Sequence, residues 1–300
     1  MFEQIGTIGK LATLLLITLV CLLLALLAGS VGIMLYSMCS GMDYTQVAAD
    51  INYIRIYQIL TSLIMFVIPA LVCAKLFDGN IKQGLYLNQK PDSKTLIISL
   101  SAMLAAIPLS SCLADWNSHL SLPSFMSGIE EWMRTKEERA KVLTDKMLIT
   151  DNFGIYLYNI IVLALVPAIS EELFFRATFQ KIITKKRPIV AAIVTGLIFS
   201  AFHMQFYGFF PRFVLGIMLG IMLVCTKNIF VPIAAHFFNN FMAVTAYYVT
   251  GGDIQISENQ SIITSIMIFI VSSVAVTMLL NILRKKHLKI LPPPKKTENL

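Results

Sequence analysis

The sequence predicts an all-α fold: a polytopic membrane helical bundle of about eight transmembrane helices. Hydrophobic residues make up 57% of the 300-residue chain and charged residues 14%. The mean hydropathy is +0.75, and the apolar residues gather in long runs with no strand-like alternation. Soluble domains are about 45–50% apolar and about 25% charged. A soluble chain of this length cannot bury so much apolar surface, so the excess faces lipid. That excludes a secreted disulfide scaffold, a disordered chain and an ordinary cytosolic enzyme. The cysteines Cys21, Cys39, Cys73, Cys112 and Cys225 form no CxxC and lie in or at the ends of apolar runs. They read as small core residues.

A bilayer core about 30 Å thick needs roughly 20 apolar helical residues. The first such run, Leu11–Cys39, is longer than a signal-peptide core and has Lys10 as its nearby cation, so it reads as a retained anchor. Tyr53–Phe77 and Thr95–Ala114 follow. The loop Asp115–Asn152 places Ile129, Trp132, Met133, Ala140, Leu143 and Met147 near helical spacing among charged residues. This predicts an amphipathic helix, with rest on the outer membrane surface, packing on the bundle and a lid role all open. Then come Phe153–Phe179, the short runs Pro188–His203 and Arg212–Thr226, and Ile229–Val249, whose Pro232 falls in the first turn where proline is tolerated. Ile262–Leu283 ends the series. It leads into a basic tail, Arg284–Lys286 and Leu291-Pro-Pro-Pro-Lys-Lys, suited to anionic lipid.

The net charge is +7. Its distribution matters more than its sum. Alternate loops and the tail carry 16 Lys and Arg on one side against 7 on the other, with Arg55 and Arg212 among the seven. Both termini are therefore expected in the cytoplasm. Membrane lipid explains the basic tail, and no nucleic-acid partner is expected.

Polar residues inside the spans carry the chemistry. Glu171, Glu172 and Arg176 sit within Val166–Phe179. A charged side chain at the bilayer centre costs roughly 2.5–3.5 kcal/mol on insertion scales, so all three are expected to be buried and partnered. Glu172 and Arg176 stand i,i+4, the spacing and order of a structural ion pair. Adjacent helical residues point about 100° apart, so Glu171 faces elsewhere and needs its own partner. The intramembrane histidines His203 and His236 are the candidates. His236 shares a helical face with Asn240, and His203 shares one with Phe199, which can wall a dry pocket. With a turn at Lys185–Pro188, Glu171 and His203 lie at equal depth, about 24 Å in. His236, seven residues into its helix, lies only about 10 Å in. The depths agree if the cationic hairpin projects beyond the membrane or if a helix is broken.

A carboxylate and imidazoles in a low-dielectric cavity suit general acid–base activation of water. Asn240 suits an oxyanion. Two histidines and one glutamate also make a catalytic zinc shell, here Glu171, His203 and His236, although the spacing is unlike HExxH. No cofactor is required, and one divalent metal is left open.

At these residues the chain resembles the CAAX-protease and bacteriocin-processing (Abi) intramembrane proteases, relatives of the type II CAAX prenyl endopeptidase. Their motifs Glu-Glu-x-x-x-Arg, Phe-x-x-x-His and His-x-x-x-Asn stand here as Glu171-Glu172-Leu-Phe-Phe-Arg176, Phe199-Ser-Ala-Phe-His203 and His236-Phe-Phe-Asn-Asn240. A glycine common after the arginine is Ala177 here. The resemblance implies a catalytic core over residues 152–250, preceded by three helices and the amphipathic loop in 1–151 and followed by the last helix and tail in 251–300. It implies an endopeptidase acting on a membrane-associated substrate, prenylated or bacteriocin-like. Glu171 would be the base with His203 assisting, Glu172 and Arg176 would organise the helix, and His236 with Asn240 would hold the oxyanion. Both metalloprotease and metal-free glutamate mechanisms are compatible. The implied setting is a bacterial inner membrane.

Two other readings compete with this one. A non-catalytic scaffold or bacteriocin immunity protein would keep the motifs without the activity. A proton-coupled transporter would use an intramembrane carboxylate, but the first half has no matching acidic segment. Gly216-Ile-Met-Leu-Gly220 is a small-xxx-small helix contact, within the chain or between chains. The oligomeric state is open.

Overall fold

The computed structural model describes residues 5–184, 187–252 and 261–288. The expected turn residues Lys185 and Lys186 and the proline-rich tail lie outside the described residues. Among those described, the secondary structure is helical with no strand. The long helices are α1 (Thr7–Ser40), α3 (Ile51–Asp78), α5 (Ser93–Ser118), α7 (Phe153–Ile183), α8 (Pro188–Phe202), α9 (Phe209–Thr226), α10 (Phe230–Thr250) and α11 (Ile262–Leu288). Short α2 (Tyr44–Ala49) and α4 (Ile81–Gly84) join them, and α6 (Ser127–Leu148) fills the long loop.

Local sequence starts these helices. Asp43, Asp50, Asn80, Asp92 and Asn152 each accept a backbone N–H from the first turn that follows. Each satisfies an amide the helix itself cannot. At α2 the cap is reciprocal, with the Gln46 side chain returning to the Asp43 backbone. Gly41, Gly79 and Gly251 end α1, α3 and α10 in the left-handed conformation, which glycine adopts without a Cβ penalty.

Among the described residues six helical segments are long and apolar enough to cross a membrane, ending with Phe206–Thr226 and Ile262–His287. The chain is an integral membrane helical bundle. The other two expected spans also form helices where expected, but the count of eight is not reached on length and composition. Helix α8 has 15 residues, fewer than a span requires. Helix α10 is long enough but carries His236, Asn239 and Asn240, which lower its hydropathy.

Two departures from α geometry trace to proline. In α3 a π segment at Leu63–Val67 precedes Pro69, and in α7 one at Ile160–Leu165 precedes Pro167. Proline lacks the N–H for the i−4 carbonyl and clashes with it. The residues four before each proline, Met65 and Leu163, lie inside those wider turns. A third π segment, Glu172–Gln180, contains no proline. There the Thr178 hydroxyl donates to the Leu173 carbonyl five residues back (2.9 Å).

Helix α7 runs through the bundle. On one side Phe174 and Phe175 pack with Leu14, Cys73, Phe77 and Phe199. On another, Leu173 and Ala177 pack with Ala70, Ala74, Leu223 and Ile229. A further core joins α5, α9, α10 and α11 through Met103, Met222, Ala235 and Leu283. The Gly216/Gly220 contact is within the chain. A Cβ on Gly216 would stand 2.9 Å from the Gly196 Cα, and one on Gly196 would stand 2.9 Å from the Ile217 backbone nitrogen. The backbones of α8 and α9 touch, so Gly196→Ala should destabilise the protein by about 1–3 kcal/mol. Thermal unfolding in detergent measures this. Gly128→Ala, where an added Cβ meets open space, should leave the midpoint unchanged or raise it.

Arg55 departs from its expected place as a loop cation. It is 5% exposed, with Nε donating to Asn159 Oδ1 (3.1 Å), Nη1 to Asn52 Oδ1 (3.3 Å) and Nη2 to the Met147 carbonyl (2.9 Å). It therefore ties the end of α6 to α3 and α7. Near the other end of α6, Trp132 packs on Phe206 at 5.4 Å and the Arg134 guanidinium lies 4.7 Å from the Tyr207 ring. The expected amphipathic helix is present, and it packs on the bundle. Its Arg134 also donates to Glu130 (2.8 Å) and holds that carboxyl below the usual range.

Candidate active site

Glu171 ends the regular α turn of α7, and Glu172 opens its second π segment. Glu172 and Arg176 form the expected i,i+4 pair at 2.8 Å, with both side chains 0% exposed. Arg176 also donates from Nη2 to the Gly216 carbonyl (3.2 Å) and lies 4.3 Å from the Phe199 ring centroid. One turn on, Gln180 donates to the Gly220 carbonyl (3.0 Å). Two polar side chains four apart on α7 thus dock on two glycine carbonyls four apart on α9. Gln180 falls outside the three motifs. The matched spacing of Glu172, Arg176 and Gln180 with Gly216 and Gly220 is the sequence signal that could have found it.

His236 stands between the two glutamates. Its Nδ1 lies 2.9 Å from Glu172 Oε1 and its Nε2 lies 3.9 Å from Glu171 Oε2. Glu171 thus stands beside one of the two candidate histidines, and that imidazole also holds Glu172 through its opposite nitrogen. A carboxylate can only accept, so Nδ1 carries the proton given to Glu172. The separation to Glu171 exceeds hydrogen-bond range.

The depth mismatch resolves through the segment after α3. Lys181 donates to the Gly84 carbonyl (2.9 Å), and the Ile229 N–H donates to the Tyr86 carbonyl (3.3 Å). Lys181 on α7 is therefore nearly level with the start of α10. The π winding after Glu171 shortens the rise further.

His203 follows the last residue of α8, and its Nδ1 lies 2.8 Å from the Phe199 carbonyl. That carbonyl can only accept, so the Nδ1 proton is donated and Nε2 keeps its lone pair. No hydrogen bond runs from His203 to either glutamate among the described residues. The link is Phe199, whose ring centroid is 4.9 Å from His203 and 5.8 Å from His236. Asn240 is one turn beyond His236, and its Oδ1 accepts from Asn239 (3.3 Å). The structure thus gathers Glu171, Glu172, Arg176 and His236 directly, adds His203 through Phe199, and leaves Asn240 a turn away.

Zinc would need Glu171, His203 and His236 to converge. His203 and His236 each donate Nδ1–H to an oxygen, which leaves Nε2 as the available donor, but His203 joins the cluster through the Phe199 ring. Among the described residues no group of three or more His, Cys, Asp or Glu side chains is placed to hold a metal ion. The donor set in this arrangement does not fit a three-ligand shell.

The family model described as type II CAAX prenyl endopeptidase Rce1-like matches residues 153–242. This segment is similar to that family's domain. It contains α7 to α9 and most of α10, and with them every residue of the Glu–Arg–His cluster. No curated protein and no solved structure matched the chain.

Proposed function

We propose that the protein is an intramembrane endopeptidase that hydrolyses a peptide bond in a membrane-associated substrate. The observation that carries this is the cluster of Glu171, Glu172, Arg176 and His236 inside the segment similar to the Rce1-like domain. Arg176 neutralises Glu172, and Glu172 orients His236. Glu171, 16% exposed against 0% for Glu172, is the carboxylate that a water and a substrate can reach. In the proposed reaction Glu171 takes a proton from the water as its oxygen attacks the scissile carbonyl carbon, with His203 Nε2 assisting. His236 and Asn240 steady the oxyanion. The carbon–nitrogen bond then breaks and the proton held by Glu171 passes to the leaving amine.

No step runs through a metal, in keeping with donors that do not converge. A prenylated or bacteriocin-like membrane peptide is the proposed substrate. The excess of Lys and Arg on one side supports cytoplasmic termini, and burial of Arg55 strengthens it by removing a cation from the other side. A bacterial inner membrane is the proposed location.

The test uses purified protein in liposomes and quenched-fluorescence peptides, prenylated and unprenylated. Wild type should cleave and His203→Ala should not, and cleavage should persist in chelator. Equal cleavage by His203→Ala removes that residue from the reaction. Loss in chelator, restored by zinc, overturns the metal-free reading.

A further inference from the structure

A second site lies away from the glutamates, where α1, α3 and α7 end together. A cavity of about 340 Å³ is lined there by the start of α1, the end of α3, Gly84 and the end of α7. Its polar wall includes Thr7, Lys10, Asp78 and Lys181, and its apolar wall includes Ile5 and Phe77. The charges are not balanced. Lys181 donates to Asp78 (2.8 Å) and to the Gly84 carbonyl, which neutralises that carboxylate. Lys10 has no carboxylate partner among the described residues, and its ammonium lies 5.2 Å from the Phe77 ring centroid. Gly6 opens α1 without a side-chain cap, so the positive end of that helix adds to the field.

We propose that this cavity binds the phosphate headgroup of an anionic phospholipid, with Lys10 as its main electrostatic contact. Lysine-bearing pockets between membrane helices recognise anionic headgroups in this way. The apolar wall distinguishes a lipid from a free anion. Beyond the cavity α1 exposes Leu15, Leu16 and Leu19 (49–64%) on its side away from Lys10, where acyl chains can lie along the helix. The proposal does not depend on peptidase activity.

The test is native mass spectrometry of the detergent-solubilised full chain, titrated with phosphatidylglycerol, with phosphatidylcholine and with inorganic phosphate. Wild type should retain phosphatidylglycerol in preference to phosphatidylcholine, and phosphate at the same concentration should not displace it. Lys10→Gln should weaken retention about fivefold with an unchanged melting temperature. Lys82→Gln, at the nearby α4 but outside the cavity lining, should match wild type. Equal retention of both lipids, equal losses in the two variants, or displacement by inorganic phosphate would each overturn the assignment.

Discussion

Glu171→Gln is expected to lower peptide cleavage by about 10²–10⁴-fold while leaving the protein folded, because the amide keeps the shape of the side chain and loses the base. The structure shows why folding should survive. Among the described residues Glu171 accepts no hydrogen bond, and its contact with His236 is a 3.9 Å approach. Glu172→Gln is the contrasting case, since Glu172 holds both Arg176 and His236 from one oxygen. Its loss should reduce stability and activity together. The measurements are turnover of a cleavable peptide and the unfolding midpoint in detergent. Cleavage by Glu171→Gln within about tenfold of wild type, well short of the loss expected for a general base, would remove Glu171 from that role.

Arg176→Leu should be the most destabilising single change in the site, at about 3–5 kcal/mol. It leaves the Glu172 carboxylate without its cation at a position with no access to water. Lysine should not rescue it. A point ammonium cannot donate to Glu172 and to the Gly216 carbonyl while also lying over the Phe199 ring, as the guanidinium does. Glu172→Leu combined with Arg176→Leu should cost less than the two single losses added together, because neither charge is then stranded. Unfolding in detergent reports all four variants. A loss below about 1 kcal/mol for Arg176→Leu would mean that the pair is solvated and not structural.

Much of this site is legible in the residues alone, because its strongest signals are local or compositional. Three charged residues in an apolar run have to be buried and partnered, and the i,i+4 spacing names Arg176 as the partner of Glu172. The helix positions follow from apolar runs and their caps. The harder features are those that join distant parts of the chain. Arg55 reads as a loop cation because Asn159 and the Met147 carbonyl, its partners, are remote in sequence. Gln180 reads as an ordinary polar residue near a helix end, since its glycine carbonyl belongs to α9. His203 is placed by helix rise at the depth of Glu171, yet Phe199 stands in the connection.

The amino-acid order alone specifies a membrane helical bundle with a charged i,i+4 pair inside it, since the periodicity and rise of a helix are properties of the local backbone. Tertiary structure decided which groups meet across helices. Both glutamates address His236, 64 residues on from Glu172, because α7 winds as a π helix after Glu171 and brings Lys181 nearly level with the start of α10. Helix register is set by packed surfaces such as the Gly196–Gly216 contact, where the absence of two side chains lets backbones touch and fixes the depth of everything attached to them.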